Sequence, residues 1–305
     1  MKRQATQTAL RFSVHALLSV ALLAVLSLTT SLAHARKTES YQPRAEDILF
    51  LGVQGLVDEL RLDEQTVLPA QAEMHHQGYG SVLAAPVFDL VQYMRNNIDP
   101  RTPDEILASL PRYNRLAMFG GWVNDNPDQN CYNTRVEALI RDVEDTNSLT
   151  FVKGNPCNIA KGVWDDPYTG TTFKLASAVQ IDHFIPLKHA YQSGAHAWSK
   201  ERRCHYTNYM GNNFHLLTVS GHENMSKGGN SPTEYLPPNE TYVCQYLSQW
   251  MKVKAIWNLT YTADEKQKIE TELSLRECPR ELGTMSAVDI HDQRAASIEI
   301  SDGCR

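Results

Sequence analysis

Two short stretches of this 305-residue chain decide its fold. The first, Val179-Gln-Ile-Asp-His-Phe-Ile-Pro-Leu187, has the pattern of an apolar strand that ends with an acid, Asp182, beside a base, His183. The second, His215-Leu-Leu-Thr-Val-Ser-Gly-His-Glu-Asn-Met-Ser-Lys-Gly228, indicates another strand that runs into a helix carrying Asn224. A carboxylate and an amide oxygen can hold a hard divalent cation, and a neighbouring imidazole can activate a water molecule. The two stretches therefore predict the chemistry of phosphodiester cleavage.

These stretches resemble the HNH, or ββα-metal, endonucleases. The closer resemblance is to secreted members with an Asp-His-x-x-Pro-Leu strand and an Asn-x-Ser-Lys-Gly helix. It covers roughly residues 112 to 278, and its remaining pieces are in the same order. They are Cys131-Tyr-Asn-Thr-Arg135, Leu139-Ile-Arg-Asp142, Cys157, Gly162-Val-Trp-Asp-Asp-Pro-Tyr-Thr-Gly170, Ser231-Pro, Tyr235-Leu-Pro-Pro238, Cys244 and Trp250-Met-Lys-Val-Lys-Ala-Ile-Trp257.

The resemblance implies an α+β fold. Its centre is expected to be a ββα-metal core, a short two-stranded hairpin plus a helix, embedded in a mainly helical, disulfide-stapled domain. We expect a signal peptide over residues 1–35, a helical N-terminal extension of unknown role over 36–110, the nuclease domain over 111–278 and a loose C-terminal tail over 279–305.

The resemblance also assigns roles to the motif residues. Asp182 and Asn224 are expected to bind one divalent ion, Mg²⁺ or another cation such as Mn²⁺, and His183 is the expected general base. His215 stands where the family usually has the Asn that steers the base, so it is expected to take that supporting catalytic role. As an alternative, His215 is a third metal ligand, which would favour zinc or manganese.

Three basic residues are candidates for holding phosphates that flank the cleaved bond: Arg135, Lys188 and Lys227. The alternative for each is a solvated surface charge. Asn224 also has other readings, since it could cap a helix or, as the first residue of an Asn-x-Ser sequon, carry a glycan.

The first 35 residues have the composition of an export signal. A basic start (Lys2, Arg3, Arg11) precedes an apolar run over 16–28 and the small-x-small site Ala33-His-Ala35. The run is too short to span a bilayer comfortably, so we expect a secreted or periplasmic protein without stable membrane association after cleavage of the signal. The alternative is an uncleaved anchor. Cleavage removes three of 29 basic residues and none of 35 acidic ones, which leaves a net charge of −9. Such a charge argues against a broad grip on nucleic acid, whereas the window 174–230 has a local excess of positive charge.

All six cysteines lie after the signal, and an even number in an oxidising compartment predicts disulfides. Fifteen pairings are possible for six cysteines. Pairing in sequence order is our expectation: 131 with 157, 204 with 244 and 278 with 304.

The sequence favours an exported, metal-dependent endonuclease acting on DNA, and possibly on RNA, with low sequence specificity. Three alternatives stay open. The first is a degenerate HNH fold that binds nucleic acid or an envelope partner without cleaving. The second is a nuclease delivered as a toxin, and the third is a zinc-dependent hydrolase of another phosphoester.

Overall fold

The computed structural model describes residues 87–124 and 130–305. The chain divides into two units, Met1–Ala84 and Ala85–Arg305, and the described residues all lie in the second. The expected signal peptide and most of the N-terminal extension lie outside the described residues. Ten helices are found in the described part: α1 Leu90–Asn96, α2 Pro103–Ser109, α3 Arg115–Phe119, α4 Thr134–Arg141, α5 Leu187–Gln192, α6 Lys200–Thr207, α7 Gly221–Lys227, α8 Val243–Trp257, α9 Ala263–Leu275 and α10 Ala287–Ala296.

The strands of this part form three small antiparallel sheets. A hairpin of β5 and β6 is one, β2–β3–β4 is another, and β1 pairs with β7. The strands are β1 Val87–Asp89, β2 Thr150–Val152, β3 Asn155–Asp166, β4 Thr171–Leu175, β5 Val179–His183, β6 Leu216–Ser220 and β7 Thr284–Ser286.

The two stretches that decide the fold pair with each other. In the β5–β6 ladder Asp182 lies opposite Leu217 and His183 opposite Leu216. The backbone N–H of Phe184 donates to the His215 carbonyl at 3.0 Å, which extends the pairing beyond β5. Helix α7 begins directly after β6 and contacts both strands. The two strands and the helix therefore contact one another, within a mixed α/β fold.

Helix α7 is held at both ends by local sequence. Ser220 is its N-cap and accepts from the backbone N–H of Glu223. Gly221 must be small because a Cβ there would lie 3.3 Å from the Ala178 carbonyl oxygen. Gly228 ends the helix at a φ of 53°, a left-handed conformation that favours glycine. The helix is therefore fixed close to β5.

The alternation over residues 173–181 predicts a single strand, but the chain forms two strands there. A turn over 176–178 separates β4 from β5, and the two strands join different sheets. The Ala178 N–H closes this turn on the Leu175 carbonyl at 3.0 Å. Periodicity missed the break because the residues on both sides alternate like a strand.

Two apolar clusters support the hairpin from different sides. One surrounds α8 and contains Trp250 and Trp257, both without exposed surface. The other lies between α4 and the sheets and contains Leu139, Trp164 and Ile181. The strand β5 contributes to the second cluster, while the residues that follow it enter the first. The end of β5, where Asp182 and His183 lie, is therefore supported by both clusters.

One of the three expected disulfides is confirmed. Cys131 pairs with Cys157. The other two expected pairings are wrong, since Cys204 pairs with Cys304 and Cys244 with Cys278. The physical reason is that α8 and the end of α9 lie side by side, whereas the chain end returns to α6.

We expected the last residues to form a loose tail, but they are folded. They form β7, helix α10 and a short 3₁₀ helix over Asp302–Cys304. The strand β7 pairs with β1, so residues from the expected extension and the expected tail form one sheet. None of the described helices is both long and apolar enough to cross a membrane.

Candidate active site

Asp182 lies at the end of β5 and is buried, with 3% of its surface exposed. One of its oxygens, Oδ2, accepts from the Tyr168 hydroxyl at 2.6 Å and from the ammonium of Lys227. Among the described residues no donor reaches the other oxygen, Oδ1. Asp182 therefore has one oxygen held by the protein and one left for a ligand.

Lys227 is the last residue of α7 and has no exposed surface. Besides Asp182, its Nζ donates to the carbonyl oxygens of Phe184 at 2.8 Å and His183 at 3.2 Å. Burial lowers the pKa of Lys227, while the charge of Asp182 acts in the opposite direction. This placement does not fit the phosphate contact expected for Lys227, because the ammonium faces the interior and its donors are already used.

Asn224 lies one turn before Lys227 on α7 and is half-buried. Its side-chain Nδ2 donates to Oε1 of Gln180 at 2.8 Å. That hydrogen bond orients the amide and leaves the Asn224 oxygen as an acceptor. The oxygen is the atom that a hard cation needs.

Asp182 and Asn224 lie on two elements that contact each other, β5 and α7. Gln180 and Asp182 lie on the same face of β5, about 7 Å apart along the strand. Asn224 and Lys227 are three residues apart and share a face of α7. The structure therefore brings both expected metal ligands to the interface of β5 and α7, and each is engaged by a protein partner there.

His183 points to the opposite face of β5 and is 7% exposed. Its Nε2 lies 2.9 Å from the Thr207 carbonyl, and its ring stacks on Trp122 with centroids 5.0 Å apart. Since a carbonyl only accepts, Nε2 carries the proton and Nδ1 has the free lone pair. Burial, together with nearby positive groups, lowers the pKa of His183 well below 6.5, so the ring is neutral at neutral pH.

The C-terminal end of α6 holds both motif histidines. The last carbonyl groups of a helix have no partner within it. Thr207 uses its carbonyl for His183, and Tyr206 uses its carbonyl for Nε2 of His215 at 2.7 Å. These two contacts orient the imidazole rings through the backbone.

His215 is 1% exposed and lies among the aromatic rings of Tyr206, Tyr209 and Trp257. Burial lowers its pKa to about 3. It makes no hydrogen bond to His183. Its link to the site is through its backbone carbonyl, which pairs with the residue after His183.

The other two expected phosphate ligands are placed differently. Lys188 is exposed at the start of α5, and its stem lies against Gly229, just after α7. Arg135 is half-buried on α4, where its Nη2 donates to the Ala176 carbonyl at 3.3 Å. Burial lowers the pKa of Arg135. Lys188 is accessible near the metal-ligand face, whereas Arg135 holds the turn before β5.

The residues fit a metal bound by few protein ligands. In the described part of the chain, no three His, Cys, Asp or Glu side chains converge as a larger metal cluster. The available donors are the free oxygens of Asp182 and Asn224. An oxygen-only set with few protein ligands suits Mg²⁺ or Mn²⁺ better than zinc.

Sequence reasoning missed the contacts that three residues make in this site. Tyr168 and Gln180 hold the two candidate ligands, and Thr207 holds the candidate base. Gln180 could have been found, because it lies two residues before Asp182 and so on the same strand face. Nothing in the sequence places the end of α6 against β5.

The fold and site define a mixed α/β domain with an acid and an imidazole at the end of β5 and an amide on the helix α7, which contacts this strand. Residues 133–271 match the family described as "GmrSD restriction endonucleases, C-terminal domain". A protein of Arthroderma benhamiae, described as an uncharacterized secreted protein, is 36% identical over 142 residues, which cover 47% of this chain and 67% of the relative. No solved structure matches the chain.

The chain belongs to this family, whose matched region contains Asp182, His183, His215 and Asn224. The membership supports a nuclease of the restriction type, in agreement with the sequence analysis. The relative is described as secreted, and the described part contains three disulfides, which suit an oxidising compartment.

Proposed function

We propose that this protein is an exported HNH endonuclease that hydrolyses phosphodiester bonds of DNA, and possibly of RNA, with low sequence specificity. One observation carries the proposal. Asp182 on β5 and Asn224 on the adjoining helix α7 each have an oxygen that no described donor reaches, while the neighbouring His183 imidazole has its lone pair on Nδ1. Membership of a restriction endonuclease family supports it.

Asp182 and Asn224 would hold the divalent cation, Mg²⁺ or Mn²⁺. When bound, the cation supplies Lewis-acid stabilisation of the negative charge on the phosphate and the leaving oxygen. His183 takes the proton of the attacking water at Nδ1, since Nε2 is committed to the Thr207 carbonyl.

The supporting residues act around these three. Lys188, which is exposed and lies beside Gly229 just after α7, is the first candidate to hold a flanking phosphate. Arg135 keeps the turn before β5 in place and, with a change of rotamer, is the second candidate for such a phosphate. His215 supports the base through its backbone, because its carbonyl fixes the chain directly after His183.

A plasmid-nicking assay tests the proposal. The mature wild-type protein should nick supercoiled DNA in Mg²⁺ and stop when EDTA is added. Replacing the base in His183→Ala should lower the nicking rate by about 10²–10⁴, the usual contribution of general base catalysis.

A matched control is His291→Ala, on α10, which should nick like the wild type. Unchanged nicking by His183→Ala would remove the base from the mechanism. Tight DNA binding by the wild type with no nicking in Mg²⁺, Mn²⁺ or Zn²⁺ would favour the second candidate, a fold that binds without cleaving. The burial of Asp182 against Lys227 is the observation that favours this candidate.

A further inference from the structure

The contacts that hold Asp182 begin in the turn between β3 and β4. Asp166 accepts from the backbone N–H of Tyr168 at 3.0 Å and from the Thr169 hydroxyl at 2.7 Å. The Gly170 N–H closes the turn on the Asp166 carbonyl at 2.8 Å, and Gly170 has a φ of 70°, which favours glycine. The turn therefore has one well-determined conformation.

A second element fixes the same turn from outside. Asn239 donates through its side chain to the Pro167 carbonyl at 3.0 Å and through its backbone to the Tyr168 carbonyl at 2.9 Å. The Tyr168 ring has no exposed surface and packs edge-on against Tyr246, with centroids 5.8 Å apart. Tyr168 is therefore held at its backbone and at its ring.

The hydroxyl of Tyr168 contacts the candidate metal ligand Asp182. The Tyr168 hydroxyl donates to Oδ2 of Asp182 at 2.6 Å. The hydroxyl is the donor in this contact, because an ionised carboxylate oxygen only accepts. Lys227 approaches the same oxygen from α7.

We propose that Tyr168 is a positioning residue for metal binding: with Lys227 it holds Oδ2 of Asp182 and thereby presents Oδ1 to the cation. This inference rests on the proposed function for its metal site. It also gives Lys227 a role that suits its burial, as the internal counter-charge of the ligand rather than as a phosphate contact.

The two donors would assist metal binding by fixing the orientation of the Asp182 carboxylate. A carboxylate with one oxygen fixed by two donors cannot rotate, so the other oxygen keeps its direction before the cation arrives. Partners that orient metal ligands in this way typically change metal affinity by about 10–100-fold when they are removed.

The test is direct binding of Mn²⁺ by isothermal titration calorimetry, with Tyr168→Phe compared with the wild type. We expect the Kd for Mn²⁺ to rise by at least about tenfold, with the melting temperature in EDTA only slightly lowered. The matched control is Tyr246→Phe, because this buried hydroxyl has no hydrogen-bond partner among the described residues. The control should bind Mn²⁺ like the wild type.

Equal Mn²⁺ affinity in Tyr168→Phe and the wild type would overturn the positioning role, as would an equal loss in Tyr246→Phe. A wild type that binds no Mn²⁺ would also overturn it. Because the titration measures binding and not cleavage, a wild type that binds Mn²⁺ but fails to nick DNA would refute the proposed function alone. Loss of affinity only in Tyr168→Phe would then still support the positioning role.

Discussion

At the scale of single residues, the site depends on which atom of each side chain is free. Asp182, Asn224 and His183 each use one polar atom for a protein contact and leave the other for chemistry. In each case the contact made by the protein determines which atom remains available. The types of the three residues could be predicted from the sequence. Which polar atom of each side chain stays free depends on its hydrogen-bond partners in the fold.

His215 provides a prediction at this scale. His215→Asn restores the residue type usual in the family, but it removes a ring that packs among aromatic side chains and donates to Tyr206. We expect the free energy of unfolding to fall by about 1–3 kcal/mol, because a buried carbonyl loses its donor and a gap is left. Chemical denaturation measures this loss.

Nicking per folded molecule should stay close to wild type in the same variant, because the His183–Thr207 contact does not involve the His215 side chain. A fall in nicking as large as that of His183→Ala, without a loss of stability, would instead make the His215 side chain part of the chemistry. A changed preference among Mg²⁺, Mn²⁺ and Zn²⁺ would make it a metal ligand.

At the scale of elements, α8 and α9 are joined by a buried ion pair. Lys254 donates to the Glu265 carboxylate at 2.6 Å and to the Thr260 carbonyl at 2.8 Å, and the indole N–H of Trp250 donates to the same carboxylate at 2.5 Å. Neither Lys254 nor Glu265 has exposed surface. Burial lowers the pKa of Lys254 to about 8. Burial raises the pKa of Glu265, but Lys254 and the neighbouring His189 outweigh it and lower the value to about 2.

The lowered pKa of Glu265 determines in which direction the stability of the protein changes with pH. Because its pKa is lower in the folded state, its contribution is present above about pH 4.5 and is lost as the pH falls towards 2. The shift corresponds to roughly 3 kcal/mol. We expect the wild type to lose stability over this range, as measured by urea denaturation at successive pH values.

Two variants of this pair separate charge from packing. Glu265→Gln leaves Lys254 buried without its counter-charge, so it should cost about 3–5 kcal/mol at pH 7. The double variant Lys254→Met with Glu265→Gln should recover most of that loss and depend less on pH between 4.5 and 2. An acid dependence in the double variant equal to that of the wild type would exclude the pair as its source.

Much at the element scale could be predicted from the sequence. The sequence predicts a helix capped by Thr102 with Pro103 at its first position, and further helices over 221–227 and 263–275, and α2, α7 and α9 lie there. These signals are local, since they depend on caps and on the spacing of apolar residues. The division of β4 from β5 was missed because sheet pairing decides it, and that is a non-local property.

At the scale of the whole molecule, long-range contacts were the least predictable. The disulfide between Cys204 and Cys304 spans 100 residues and ties the chain end to α6, the helix that holds His183. Pairing in sequence order failed there because cysteine spacing carries no information on which helices meet. The same limit applies to β1 and β7, which pair across nearly the whole described chain.

The residues of the site also fall into two groups, those that could be predicted from the sequence and those that only the tertiary fold reveals. The motif names Asp182 and His183 on β5 and Asn224 on α7 as candidates, but it does not give the contacts of Tyr168, Gln180 and Thr207 with them. These three come from a turn, a strand position and a helix end that only the tertiary fold brings together. The motif thus names the reacting groups, and the fold supplies the residues that orient them.

The most direct test of the central claim is anomalous diffraction from crystals of the mature protein soaked in Mn²⁺. The account predicts a single strong peak between Oδ1 of Asp182 and the side-chain oxygen of Asn224, which is lost in Asp182→Asn. A peak elsewhere on the domain, or no peak while the Lys227–Asp182 pair stays closed, would contradict it.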